Sequence, residues 1–521
     1  MSASPEYACA AAPELDASRE KTHRRAFFGT ALLSTANVTK LLLQCALIPV
    51  LARLLGPHVF GLMSVAMSFV LLANMLSDGG MGAALIREHD CEHALESTVF
   101  WLSMGIGLAL AAIVGLIAWP VAIIYSEAPL LPVMLALSPI LMASSSLSVL
   151  NARIIRQQRF NVFAIGDVAC AIAGAGVGLF MALRGYGVWS LVGQQLAFWA
   201  TKAVWIWRAA GFRPSATLNL ELARPLFGFS ANTLATNIAD FLGKNLPILI
   251  VGGTLGVASV ARYAMAYQLT RVAEMVVSDP VNLATFSAVA AARRHEEATG
   301  FVIVALRTLL LVLLPLFGGL ALTADLLAPI ILGHRWIGTG PALAMLAPGA
   351  LCLCLYGFAN GVLLGKGLSA HTLKLTVLTG VATALGTLVG VRAGVSGAVT
   401  GLSLGAASLA PLYLWVLAKT LDISIFTLLK AGRAGAFAAL TMGIAVLLVR
   451  WEARALAAYL QLILAIGVGA VSFCSAALAA GGPEIRAGLE TLRRRAPAEE
   501  AAQPSIWPSM PKTVDDAEPF L

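Results

Sequence analysis

FGTALLSTANVTKLLLQCALIPVLARLLGPHVFGLMSVAMSFVLLANMLSD, from Phe28 to Asp78, contains two apolar runs joined at Leu55-Gly56. Each run has about 20 residues, enough to cross a hydrocarbon core of about 30 Å as a helix. Similar runs follow one another to about Ala480, with no polar domain between them. Hydrophobic residues make up 59% of the 521, and charged residues 12%. In water that much apolar surface would have to be covered. In lipid the constraint is instead that every backbone polar group finds an internal partner, which leaves helices or a closed barrel. The runs lack the alternation of a spanning strand. The fold class expected is therefore an all-α integral membrane protein.

The apolar pattern predicts about fourteen spanning helices, over 26–52, 57–77, 97–125, 129–150, 161–183, 187–210, 226–252, 255–280, 301–325, 341–365, 372–392, 395–418, 433–450 and 457–480. Most of the Lys and Arg fall in the termini and in the loops after even-numbered helices, including Arg24, Arg25, Arg153, Arg156, Arg159, Arg293, Arg294, Lys430 and Arg433. The loops after odd-numbered helices hold few, among them Arg53, Arg184, Arg335 and Arg392. This asymmetry places both termini in the cytoplasm of a multi-pass protein. Residues 1–25 are polar and lack the apolar core of a cleavable signal peptide. Residues 481–521 are rich in Pro, Ala and charge and read as a disordered cytoplasmic tail. The net charge of +8 follows the loop pattern rather than a nucleic-acid face.

The opening stretch has a counterpart, FGFSANTLATNIADFLGKNLPILIVGGTLGVASVARYAMAYQLTRVAEMVVSD, from Phe227 to Asp279. Phe28-Gly29 matches Phe227-Gly228, Leu55-Gly56 matches Leu255-Gly256, and Ser77-Asp78 matches Ser278-Asp279. Six helices separate the copies, so the two have the same orientation. That is a parallel repeat about an axis along the membrane normal, a transporter plan whose site lies between the halves. The expected organisation is an N-lobe over 26–210, a C-lobe over 226–418, and two further helices over 433–480.

Charge within a membrane helix is costly and usually functional. The first helix carries Asn37, Lys40 and Gln44 on one face, with no acid in helical reach of Lys40. The seventh carries Thr233, Asn237, Asp240 and Lys244 as one stripe. The eighth adds Arg271 and Glu274. Asn37, Lys40, Gln44, Asn237, Asp240, Lys244, Arg271 and Glu274 are thus the candidate lining of a cavity between the lobes. Asp240 with Lys244, and Arg271 with Glu274, have the spacing of helical ion pairs and can equally be structural. Lys202, Arg262 and Arg307 are placed nearer helix ends, where such side chains snorkel. A cationic cavity suits a phosphorylated guest, because Lys and Arg bind phosphate through charge-assisted hydrogen bonds.

Signals for other chemistry are weak. The seven cysteines are scattered without a CxxC pair, so neither a disulfide framework nor a metal site is expected. Gly361 to Gly367, GVLLGKG, is too short for a P-loop. No HExxH or GxSxG occurs. The reading is non-enzymatic, with no cofactor.

ARLLGPHVFGLMSVAMSFVLLANMLSDGGMGAALIRE (Ala52 to Glu88), RGYGVWSLVGQQ (Arg184 to Gln195) and GTLGVASVARYAMAYQLTRV (Gly253 to Val272) resemble bacterial polysaccharide exporters. The family is that of the Wzx-like oligosaccharide flippases, of the colanic-acid and succinoglycan exporter type, within the multidrug/oligosaccharidyl-lipid/polysaccharide superfamily. The resemblance covers about residues 25 to 420. It implies two six-helix lobes around a central cavity, with two extra C-terminal helices. It also implies a polyprenyl-diphosphate-linked oligosaccharide as substrate, moved across the bacterial inner membrane for exopolysaccharide or lipopolysaccharide assembly. Membrane lipids, and a polysaccharide polymerase or export machinery, would be the partners, and a monomer the default state. Two alternatives stay open: a MATE-like multidrug or cation exporter, and a membrane polysaccharide polymerase.

Overall fold

The computed structural model describes residues 6–78, 82, 85, 93–157, 159–216, 219, 238, 241–292 and 294–501, and every regular element among them is helical. The first half contains α1 (Glu6–Asp78), α2 (His93–Ile124), α3 (Leu130–Leu137), α4 (Pro139–Arg156), α5 (Phe160–Leu183) and α6 (Val188–Ala210). The second half contains α7 (Phe241–Leu255), α8 (Val257–Ala273), a π-helical turn (Glu274–Ser278) and α9 (Asp279–Ala291). It continues through α10 (His295–Leu332), α11 (Thr339–Gly365), α12 (Ser369–Gly390), α13 (Gly394–Ser408) and α14 (Ala410–Thr420). α15 (Ile425–Glu452) and α16 (Ala458–Ala501) close the described chain.

Nine described segments are long and apolar enough to cross a membrane. Two of them, Thr35–Leu76 with 42 residues and Ser369–Thr420 with 52, greatly exceed one crossing. Each has a break that explains its length. α1 turns at Gly56, where φ is 76° and ψ is 175°, a region closed to most side chains. Pro57 then opens the second arm, where a missing N–H costs nothing. Gly256, between α7 and α8, has nearly the same geometry, φ 80° and ψ 170°. The matched Leu-Gly pairs therefore turn the chain in the same way in both copies of the repeat. In the second copy the chain runs through the π-turn at Glu274–Ser278 and on to Ala291 without a break at Ser278-Asp279, while most of the stretch that follows Asp78 in the first copy lies outside the described residues.

The ends of the described stretch are also helical. α1 begins at Glu6, ahead of the expected start at 26, and α16 carries on to Ala501, past the expected boundary at 480. Ala, Leu, Glu and Arg dominate 484–501, and these favour helix even without an apolar face.

The buried cores show how the halves meet. At the Gly56 end one continuous cluster takes residues from both: Leu51, Leu62 and Val65 from α1 pack with Val257, Val260 and Tyr263 from α8, and with Leu343 and Leu346 from α11. Away from that end the core divides. One cluster gathers Phe100, Leu147, Leu150 and Ile206 from the first half; another gathers Leu309, Leu313, Phe317, Phe358 and Leu417 from the second. The two lobes are joined at one end and separate at the other.

Candidate functional site: a cavity between the lobes

The gap left by the divided core is lined by polar groups on otherwise apolar helices. Two adjoining chambers share Ser64, Met67, Ala264 and Gln268. The chamber nearer the Gly56 end has a volume of about 410 Å³ and is walled by α1, α5, α6 and α8. Lys40, Gln44, Gln194, Gln195 and Gln268 supply its polar side chains, with Phe198 beside them. The chamber farther from that end has about 700 Å³. Lys202 from α6, Lys244 from α7 and Arg271 from α8 line it, together with Asn74, Asn151, Asn245 and Trp199. Basic groups from both lobes thus surround one space, and amides and aromatic rings fill in between them.

Most of the acids described in the cavity region are held by bases. Lys202 donates to Asp167 of α5 at 3.1 Å and stands 5.8 Å from the Phe198 ring and 6.0 Å from the Trp199 ring. Arg271 donates to Glu274 at 3.1 Å, within one helical turn. Glu274 opens the π-turn, and such bulges re-aim the side chains that follow. It lines a third, smaller chamber of about 150 Å³ inside the C-lobe, with Lys244, Tyr267, Asn360, Thr379 and Tyr413. Lys244 and Tyr267 belong to the walls of both this chamber and the large one. Among the described residues, the carbonyl oxygens of the Asn151 and Asn360 side chains are buried without a hydrogen-bond partner. Each lies in a chamber wall, where a polar guest would satisfy it. No cluster of three or more metal-binding side chains occurs among the described residues.

The expected lining separates as follows. Lys40, Gln44, Lys244 and Arg271 line the two main chambers, and Glu274 lines the smaller one. Asn37 is exposed and is not among the residues around these chambers, although it shares a helix face with Lys40. Asn237, Asp240 and Thr233 lie outside the described residues, so the pairing of Asp240 with Lys244 does too. Lys202 is the charged residue of the two main chambers that sequence reasoning missed. It is eight residues short of the end of α6, and its acid is on a different helix, beyond any search along one helix face.

At the Gly56 end the cavity is closed. Arg53 bonds the carbonyls of Ile330 and Ile331, Trp336 bonds the carbonyl of Ala52, and Tyr125 bonds the carbonyl of Leu249.

Residues 50–341 match the family described as "Polysaccharide biosynthesis protein", more than half of the chain. The chain belongs to this family. Curated relatives include the succinoglycan biosynthesis transport protein ExoT of Rhizobium meliloti, 26% identical over 58% of this chain and 62% of ExoT. The lipopolysaccharide biosynthesis protein WzxC of Escherichia coli is 24% identical over 66% of this chain and 68% of its own length. The teichuronic acid biosynthesis protein TuaB of Bacillus subtilis is 23% identical, and this chain spans 62% of it. Among solved structures, the lipid II flippase MurJ in an inward closed conformation superposes with a TM-score of 0.74 at 14% identity, over 87% of this chain and 100% of MurJ. An inward-facing multidrug-resistance MATE transporter of the MOP superfamily superposes with 0.59 at 15% identity, over 73% of this chain and 94% of that one. The family member described here therefore has the fold those transporters share.

Proposed function

We propose that this chain is a flippase for an anionic, lipid-linked oligosaccharide, with the polyprenyl-diphosphate form as the substrate class. The observation that carries the reading is the convergence of Lys40, Lys202, Lys244 and Arg271, from both lobes, on one cavity with amide and aromatic walls. Amides and aromatic faces suit sugar hydroxyls and pyranose faces. Guanidinium and ammonium groups suit phosphate. The need for such a cavity is physical, since each sugar hydroxyl or phosphate left unsatisfied in hydrocarbon costs several kcal/mol. The relatives named for succinoglycan, lipopolysaccharide and teichuronic acid biosynthesis support an envelope polysaccharide as the end use.

In this reading the Gly56 end faces outward and the open end faces the cytoplasm of a bacterial inner membrane, as the Lys and Arg bias requires. The sugar and diphosphate enter between the parted lobes while the polyprenyl chain stays in lipid. Rocking of the lobes then exposes the guest on the other side. No bond is made or broken in this cycle, and the chain acts without a catalytic residue or cofactor. A drug-cation exporter on the same fold would need acids free to face its guest. Among the described residues, Asp167 and Glu274 are each taken by a base. The test is reconstitution of the purified chain in vesicles that carry a fluorescent polyprenyl-diphosphate oligosaccharide in one leaflet. The expected result is transfer to the other leaflet that depends on the protein.

A further inference from the structure

The closed end is held by an exchange of hydrogen bonds between the lobes at the ends of two helices. The last turn of an α-helix presents carbonyls that lack a partner within the helix. α10 ends at Leu332, and its Ile330 and Ile331 carbonyls accept from the Arg53 guanidinium, the second at 3.1 Å. The first arm of α1 ends at Gly56, and in its last turn the Ala52 carbonyl accepts from the Trp336 indole N–H at 2.9 Å. Each lobe thus caps a helix end of the other, through neighbouring positions 52 and 53 on one side and 330, 331 and 336 on the other. The Arg53 charge also lies at the negative end of the α10 dipole.

Packing fixes the geometry of this exchange. Trp336 is completely buried and meets Phe60 edge-on, with ring centroids 5.5 Å apart. One turn into the second arm of α1, Gly61 lets that arm lie directly on α8. A Cβ there would come 2.0 Å from the Val257 carbonyl oxygen.

The geometry points to Arg53 and Trp336 as a reversible latch that keeps the lobes shut at the Gly56 end and opens during transport. Each bond it uses can be replaced by water when the lobes part, because helix-end carbonyls at the membrane surface are readily hydrated. The latch is therefore weak in each contact and cooperative as a set, which a closure that must open in every cycle requires. The proposal rests on the rocking of two lobes proposed above, but it concerns access rather than substrate.

Access of the cavity to a membrane-impermeant maleimide tests it without any substrate. The full chain carries Ser64→Cys, which lines both main chambers, with its seven native cysteines replaced by alanine. Labelling is followed in right-side-out and in inverted vesicles. Trp336→Phe keeps the ring and deletes the N–H donor, and Arg53→Gln deletes the charge. Each should raise labelling from the Gly56 face about 2- to 10-fold, the range for loss of one or two hydrogen bonds, with a matching fall from the other face. A rise confined to one face supports the latch whichever way the protein is oriented, and the face on which it appears reports the orientation separately. Unchanged labelling in both variants overturns the proposal. So does a rise on both faces, since a latch that opens in every cycle must be dispensable to folding.

Discussion

Lys244 is the side chain on which the two readings of the polar stripes divide. It lines both the large chamber and the C-lobe chamber, so on the proposed function its charge would reach a guest in either. Lys40 would do the same from the other lobe, in the chamber nearer the Gly56 end. Removing a charged hydrogen-bond partner costs about 1.5–3 kcal/mol, or roughly 10- to 100-fold. Lys244→Ala and Lys40→Ala should therefore lower transfer of the lipid-linked substrate by at least about tenfold, with normal amounts of folded protein in the membrane. Transfer at the wild-type rate in both variants would remove the cations from the account. At the closed end, burial pushes the Tyr125 phenol up to about 12. An acid raised in the folded state makes its full contribution below its ordinary value near 10 and loses it as pH climbs from about 10 to about 12. The bond from Tyr125 to the Leu249 carbonyl should thus be indifferent to pH between about 6 and 9. Labelling of the Ser64→Cys reporter, divided at each pH by that of a fully exposed cysteine so that the pH dependence of the thiolate cancels, should be flat over that range.

The helices explain what the sequence could disclose. Apolar length and the matched Leu-Gly pairs were visible in one dimension, because helix formation in lipid is dictated locally by backbone satisfaction and Gly56 and Gly256 mark where it fails. The shared face of Lys40 and Gln44 follows from helical geometry alone. What lay beyond reach was set by packing between helices. Asn37 shares that face, yet the cavity wall does not extend to it. Lys202 reads as a helix-end cation until α5 brings Asp167 beside it. Arg53 and Ile330 are 277 residues apart, and no local pattern links them. The continuation through Glu274–Ser278 also escaped notice, since the Ser278-Asp279 match suggested a helix end and a π-turn has no sequence signature. Gly56→Val and Gly256→Val test the turn directly. A β-branched residue held at this combination of positive φ and extended ψ costs about 1–3 kcal/mol, so each variant should lower the melting temperature in detergent, and by similar amounts. A strong loss at one position and none at the other would mean that the two turns are not equivalent.

The whole molecule is a pair of lobes with a common core at one end and separate cores at the other. Such a shape has a direction, and so does the electric field across the membrane. Carrying a negative charge outward from a negative cytoplasm gains about 2.3 kcal/mol per charge per 100 mV. Export of a diphosphate should therefore quicken when a potassium diffusion potential, negative on the cytoplasmic face, is imposed on vesicles, and slow when its sign is reversed. Rates blind to the potential would mean that compensating cations travel with the substrate or that the loaded step does not limit the cycle. The central claim is that basic groups of both lobes receive an anionic, lipid-linked glycan in one cavity. Its most direct test is leaflet transfer of a polyprenyl-diphosphate oligosaccharide by reconstituted protein, comparing the wild type with the double variant Lys202→Met, Lys244→Met, one cation from each lobe. Rapid transfer by the wild type and loss of most of it in the double variant is the predicted result; no transfer by the wild type, or equal transfer by the two, would contradict it.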